Sequence, residues 1–273
     1  MTQKVRFEAR DIKTWADLVG DYNPIHFDDS LSRDRGLNGV VVHGMLALLY
    51  LKNLVGHEIG RTGDAGEWLQ VKARFRVPVL RAADYRIDAR ESALRTRFNL
   101  THDIDGAVAI DGMMNWGDAP EPGEPYYIFE VPEGGYEDLL RRYKKAFPEM
   151  NLAWLFLDCL LFEILLKNEI LFRFIKELGL DKGCDSQLQL MDMFFTVQSS
   201  HLLHVRADLL KIHLDELHEL LPLKCMALSP TISAPDSDSR FVALCPLQLH
   251  SGGALLLQSD VGLVVGLRDG GMI

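Results

Sequence analysis

No stretch of this 273-residue chain runs apolar for the ~20 residues that a membrane-crossing helix requires. The most apolar segment, Leu152 to Ile175, is interrupted by Asp158, Glu163 and Lys167, and reads as a buried helix. The first residues, MTQKVRFEARD, lack the apolar core of a secretory signal. Cysteine is scarce: Cys159, Cys184, Cys225 and Cys245 fall in the second half without a CxxC pair. That usage fits free thiols in a reducing cytoplasm rather than a disulfide framework, so a cytoplasmic protein without a membrane span is expected. Excess basic charge is missing too, since 29 Lys+Arg face 39 Asp+Glu. The deficit is uneven: residues 1–120 carry 16 against 17, and the remainder 13 against 22. A polyanion such as nucleic acid therefore finds no broad basic surface on the second half.

Proline clusters at one place. Asp118-Ala-Pro-Glu-Pro-Gly-Glu-Pro125 can continue neither a helix nor a central strand. It divides the chain into residues 1–117, a linker at 118–125, and residues 126–273. In the first part a short strand, Val5–Ala9, precedes a helix that Asp11 caps and Gly20 closes, with Ile12, Trp15, Ala16 and Val19 on one face. A second helix, about His43 to Val55, is apolar nearly all round and needs burial on most sides. Three alternating stretches follow: Trp68–Val79, Tyr85–Ala93, and Arg97–Trp116 with a turn at Asp105-Gly106. A curved antiparallel sheet wrapped around one apolar helix satisfies all of these; the class is α+β.

The second part shows a strand at Tyr127–Val131, helical sequence from Tyr136 to about Leu178, and strand-like pieces at Met193–Val205 and Phe241–Leu249. Its last piece, Gly253 to Gly266, echoes Gly106 to Gly117 in composition and position, which suggests an internal duplication. The alternative is a helical extension with an unrelated hairpin. Asp215, Glu216 and Glu219 read as the solvated face of an acidic helix, and His201, His204, His213 and His218 lack metal-ligand spacing.

Chemistry concentrates in Gly20-Asp-Tyr-Asn-Pro-Ile-His-Phe-Asp28, followed by Val42-His-Gly-Met-Leu46. Pro24 fixes its own φ and drives Asn23 from the helical region, so the chain turns sharply. Asp21 and His26 can then face one pocket. A carboxylate and an imidazole sharing one water are what syn hydration of an activated alkene requires. Taken singly, Asp21 and Asn23 would be ordinary turn residues, and Asp28 and Asp29 solvated loop acids.

This segment resembles the signature of the MaoC-type (R)-specific enoyl-CoA hydratases and 3-hydroxyacyl dehydratases, Gly-Asp-x-Asn-Pro-x-His followed by His-Gly at the start of a central helix. The run Gln70 to Val79 is similar to the family's strand after that helix. The resemblance covers roughly residues 5–117 and implies a hot-dog fold, with a divergent second hot-dog half completing a pseudo-dimer. It implies Asp21 and His26 as the acid/base pair, Asn23 as the residue orienting Asp21 or the water, and the Gly44 N–H as donor to the thioester carbonyl. His43, Lys52, Gln70 and Arg74 are the candidate substrate-binding residues. His43 orients the helix start, and Lys52 either shapes the acyl pocket or reaches out to water. Arg74, among the alternating cations of its strand and with Arg81 or Arg86 nearby, is a candidate for gripping the phosphates of coenzyme A or phosphopantetheine. The implied activity is a hydro-lyase of fatty acid metabolism acting on an acyl-CoA or acyl-carrier-protein thioester. No metal or redox cofactor is implied, and a homodimer of pseudo-dimeric chains is possible. A thioesterase and a non-catalytic acyl-binding scaffold are the competing readings.

Overall fold

The computed structural model describes residues 1–34, 36–59, 66–92, 95–131, 135–177, 179, 185, 194–233 and 240–267. The first half runs β1 (Thr2–Arg6), α1 (Ala9–Val19), a 3-10 turn at Pro24–His26, α2 (Asp29–Asp34) and α3 (Gly44–Ile59). It continues through β2 (Trp68–Phe75), β3 (Asp84–Ser92), β4 (Arg95–His102) and β5 (Val108–Gly117). The second half runs β6 (Pro125–Glu130), α4 (Gly135–Ala146), α5 (Ala153–Lys167), α6 (Ile170–Glu177), β7 (Phe194–Arg206), β8 (Leu223–Leu228), β9 (Thr231–Ile232), β10 (Arg240–Ser251) and β11 (Ala254–Leu267). Residues 118–124, between β5 and β6, form no regular element. Among the described residues no helix is long and apolar enough to cross a membrane.

The main strands form one antiparallel sheet in the order β1-β3-β4-β5-β2-β7-β11-β10-β8-β6, with the short β9 paired to β10. From either edge inward, each half reads first, third, fourth, fifth, second strand. The halves meet where β2 pairs β7, from Trp68 opposite Arg206 to Arg74 opposite Ser200. In each half the helix α3 or α5 sits in sequence between the first and second strands. This is a double hot-dog. The echo between Gly106–Gly117 and Gly253–Gly266 falls on β5 and β11, the equivalent fifth strands.

The physical reason is burial. Both helices are apolar on most faces: Met45, Leu46, Leu48 and Leu49 of α3, and Trp154, Phe156, Leu157 and Leu160 of α5, are all buried. A single apolar cluster runs from Phe7 through both helices to Val265, so the halves share one core. One hot-dog sheet could not wrap two such helices; ten strands side by side can.

Several boundaries differ from expectation for local reasons. The α1 cap is Glu8, which accepts from the Asp11 backbone while the Asp11 side chain accepts from Glu8 N–H, a reciprocal capping box. β2 stops at Phe75, ahead of Pro78, which has no ladder donor. The helical stretch after Tyr136 splits at Pro148 and again at Glu169, whose φ is +52°. The acidic helix expected near Asp215 is instead a 3-10 turn at Leu217–Leu220. Strand β8 had no local signature: Lys224 and Met226 alternate with the inward Cys225 and Ala227, residues of modest strand preference. The expected end at Leu178 and start at Met193 lie outside the described residues.

Candidate active site

Gly20 ends α1 in the left-handed conformation (φ +82°), donating to Ala16 O at 2.8 Å. The chain thereby leaves the helix at an angle that carries Asp21 toward the start of α3. Pro24 then opens the 3-10 turn, and Asn23 caps it, its Oδ1 accepting from Ile25 N at 3.4 Å. The Asn23 backbone N–H donates to Asp21 Oδ1 at 3.3 Å. Asn23 thus bears on Asp21 through its main chain, while its buried side chain braces the turn.

His26 is buried, and its Nδ1 lies 2.7 Å from Val41 O. A carbonyl can only accept, so Nδ1 carries the proton and Nε2 presents a lone pair. That Nε2 faces Asp21 Oδ2 across 4.0 Å. The His43 ring stacks on His26 with centroids 3.7 Å apart and planes 29° from parallel. His43 Nε2 donates to Asp21 O at 2.9 Å, and among the described residues its buried Nδ1 has no hydrogen-bond partner. Two rings and two backbone carbonyls therefore fix Asp21 and His26 relative to each other. Exposed Tyr22 and Phe27, stacked 6.1 Å apart, lie beside this group, and Phe27 meets His43 edge-on.

Burial lowers the pKa of His26, against the opposing pull of the Asp21 charge and the Val41 carbonyl. Burial, together with His26, lowers that of His43 to about 3, again against Asp21. Both imidazoles are neutral near pH 7. The site is a carboxylate beside a neutral imidazole whose free nitrogen points at it.

Asp21, His26 and His43 also bring ligand-type atoms within 4.8 Å of one another. Stacked rings send their lone pairs side by side rather than to one point, which is poor geometry for a shared tetrahedral ion. The same atoms suit a water molecule held between acid and base.

Gly44 opens α3. The first helical bond there is Ala47 N to His43 O, at 3.1 Å, so the Gly44, Met45 and Leu46 N–H groups have no partner within the helix. A Cβ at Gly44 would lie 2.6 Å from Gln198 Oε1 and 2.8 Å from Phe75 Cε1. Glycine is the residue that fits.

Three expected substrate contacts lie elsewhere. Lys52 is fully buried on α3, its ammonium ion-paired with Asp158 of α5. It neither reaches water nor joins Asp21 and His26, because an acid on the other central helix holds it. Gln70 and Arg74 sit on the face of β2 opposite Leu69, Val71 and Ala73, which pack into the core. The Gln70 amide lies 3.5 Å from Asp118 O, and exposed Arg74 pairs with Asp111 at 2.7 Å. Arg86 is paired with Asp88. None of these meets the carboxylate–imidazole group.

The Lys52–Asp158 pair belongs to a larger network that local sequence did not reveal. Asp158 Oδ1 accepts from Ser259 Oγ at 3.0 Å and lies 3.2 Å from His201 Nε2. Burial pushes the Asp158 carboxyl up, but Lys52 and His201 outweigh it and hold it well below the usual carboxylate range.

Comparison with known proteins places these features. A family model described as MaoC like domain matches residues 1–110. The chain is 28% identical over 90 residues to an (R)-specific enoyl-CoA hydratase of Aeromonas caviae, covering 33% of this chain and 66% of that protein. It is 45% identical over 40 residues to a mitochondrial 3-hydroxyacyl-[acyl-carrier-protein] dehydratase of Arabidopsis thaliana, 15% of this chain and 24% of that one. It thus spans less than two thirds of either relative. The crystal structure of a MaoC domain protein dehydratase from Chloroflexus aurantiacus J-10-fl matches 98% of this chain and 95% of its own, with 9% identity and a TM-score of 0.51. At that identity the likeness is one of fold, and it extends over both halves.

Proposed function

With residues 1–110 a MaoC-like domain, we propose that this protein reversibly hydrates trans-2-enoyl thioesters to (R)-3-hydroxyacyl thioesters. The observation that carries the reading is the unprotonated His26 Nε2 facing Asp21 Oδ2 at 4.0 Å, with His26 buried and Asp21 partly exposed. A water held there gives a proton to Nε2 as its oxygen bonds to the enoyl β-carbon. The C=C π pair moves to the thioester, whose oxygen takes the charge beside the Gly44 N–H, at the positive end of α3. The imidazolium then returns its proton to the α-carbon on the same face. Asp21 orients the water and balances the transient cation. Atoms and charge close with no further reactant.

The relatives support the same class, since one is named an enoyl-CoA hydratase and the other a 3-hydroxyacyl-carrier dehydratase. Both act on thioesters by their names, and the substrate here is an acyl-CoA or acyl-carrier-protein thioester. The site residues are Asp21, His26 and Gly44, with Asn23 and His43 holding them. The second half carries no equivalent motif, so each chain has one site, and its second half takes the place of a partner subunit.

The test is crotonyl-CoA and its acyl-carrier-protein counterpart, followed by loss of the conjugated enoyl absorbance and by product configuration. The expected product is the (R)-3-hydroxy thioester. Release of free thiol without hydration would make the protein a thioesterase. No change with either carrier would make it a binding protein.

A further inference from the structure

Strand β7 carries a residue into the site from the second half. Along its C-terminal part the alternation is regular: His201, Leu203 and Val205 are fully buried toward the helices, and Ser200, Leu202 and His204 take the other face. Continued unbroken, that alternation would place Gln198 outward with Ser200. It is broken by a bulge: Ser200 pairs Gly262 and Gln198 pairs Leu263, leaving Ser199 as the extra residue, its Oγ donating to Gly262 O at 3.2 Å. Beyond the bulge the faces exchange. Gln198 turns inward, and its Oε1 lies against the first turn of α3, 2.6 Å from where a Cβ at Gly44 would stand. Its Nε2 donates to Met45 Sδ at 3.2 Å. A thioether is a weak acceptor, so a half-turn of the amide about its soft terminal torsion, which exchanges the two atoms and sets Nε2 beside Gly44, gives up little.

We propose that Gln198 is a catalytic residue supplied by the second half, donating its amide N–H beside the Gly44 N–H to the thioester carbonyl oxygen. The proposal rests on the hydration reading of Asp21 and His26. As the water oxygen bonds to the β-carbon and the π pair moves toward the thioester, the carbonyl oxygen takes negative charge and two N–H donors hold it. When the α-carbon is protonated, the carbonyl is restored. Gln198 neither gains nor loses a proton.

The test uses the full chain as wild type, Gln198→Met (similar length, no donor) and Gln198→Glu. Two readouts are taken: kcat and KM for crotonyl-CoA, and the absorption maximum of bound para-dimethylaminocinnamoyl-CoA. That push–pull thioester absorbs further to the red as its carbonyl is polarised. The expected result is a kcat about 100-fold lower in both variants with KM little changed, and a smaller red shift in Gln198→Met. An unchanged kcat and red shift in a stably folded Gln198→Met would overturn the assignment and leave the hydration reading intact. A Gln198-dependent shift without hydration of any enoyl thioester by wild type would support the donor and sink the hydratase reading. Failure of wild type both to bind the chromophore and to hydrate would overturn both.

Discussion

The two halves share a strand order and an apolar central helix, yet only one carries the carboxylate–imidazole pair. The contrast lies in the segment leading into each helix. In the first half residues 20–43 leave α1 at Gly20, turn at Pro24, and gather Asp21, His26 and His43 at the start of α3. In the second half residues 147–152 pass from α4 to α5 with Pro148 and Glu149 but no histidine. The same scaffold can thus host an acid–base pair or lack one, because the pair depends on the loop that leads into the helix. Two polar side chains of the second half instead reach across to α3. Asp158 ties α5 to Lys52 of α3, and the bulge at Ser199 sends Gln198 across to the other half's helix.

The buried Lys52–Asp158 pair couples the two halves in stability. Lys52→Met leaves Asp158 without its strongest cation and is expected to cost about 3–5 kcal/mol, read by urea unfolding. Lys52→Met with Asp158→Leu should recover much of that loss, since an apolar pair replaces an ionic one. A single variant as stable as wild type would mean the two helices are held by packing alone.

The second half also holds a buried carboxyl outside the proposed reaction. Burial raises the Asp260 pKa to about 6, against the opposing hydrogen bond from Gln258 at 2.9 Å. A folded pKa above the ordinary 3.8 means the fold favours the protonated form. Its stabilisation is complete below about 3.8 and is lost as pH rises through about 6. Asp260→Asn should therefore gain on wild type as pH rises from about 3.8 to about 6, by at most about 3 kcal/mol in all, and hold that margin above it. Parallel stability curves across that range would refute it.

A smaller effect separates His26 from an exposed histidine. Its lowered pKa keeps Nε2 unprotonated to lower pH than usual, so the acid limb of kcat/KM should fall below pH ~6.5. A limb above that value would mean the imidazole sits in a wetter setting. Tyr22 and Phe27, at the exposed edge of the site, offer no titrating group in this range.

Much of this was legible in local sequence. Gly20, Pro24 and the spacing from Asp21 to His43 report backbone constraints that act within a few residues, and the all-round apolarity of α3 demanded a sheet to cover it. The β5–β11 echo fell on strands that hold equivalent places in the order of the two halves. The parts that escaped depend on pairing across the chain. Lys52 looked like a pocket residue because its partner Asp158 is 106 positions away. Gln70 and Arg74 sat in a strand with the right composition, but their face follows from which side of the sheet the helix covers. Gln198 could not be found without the register of β7 against β11, since a bulge leaves no local mark in residue types.

Hydration of crotonyl-CoA by the full chain beside its Asp21→Asn variant bears most directly on where the chemistry lies. The expectation is loss of the enoyl band with wild type and a rate lower by about 10²–10⁴ in the variant, both unfolding at the same denaturant concentration. Equal rates in the two proteins would remove the Asp21–His26 pair from catalysis and send the search to another part of the molecule.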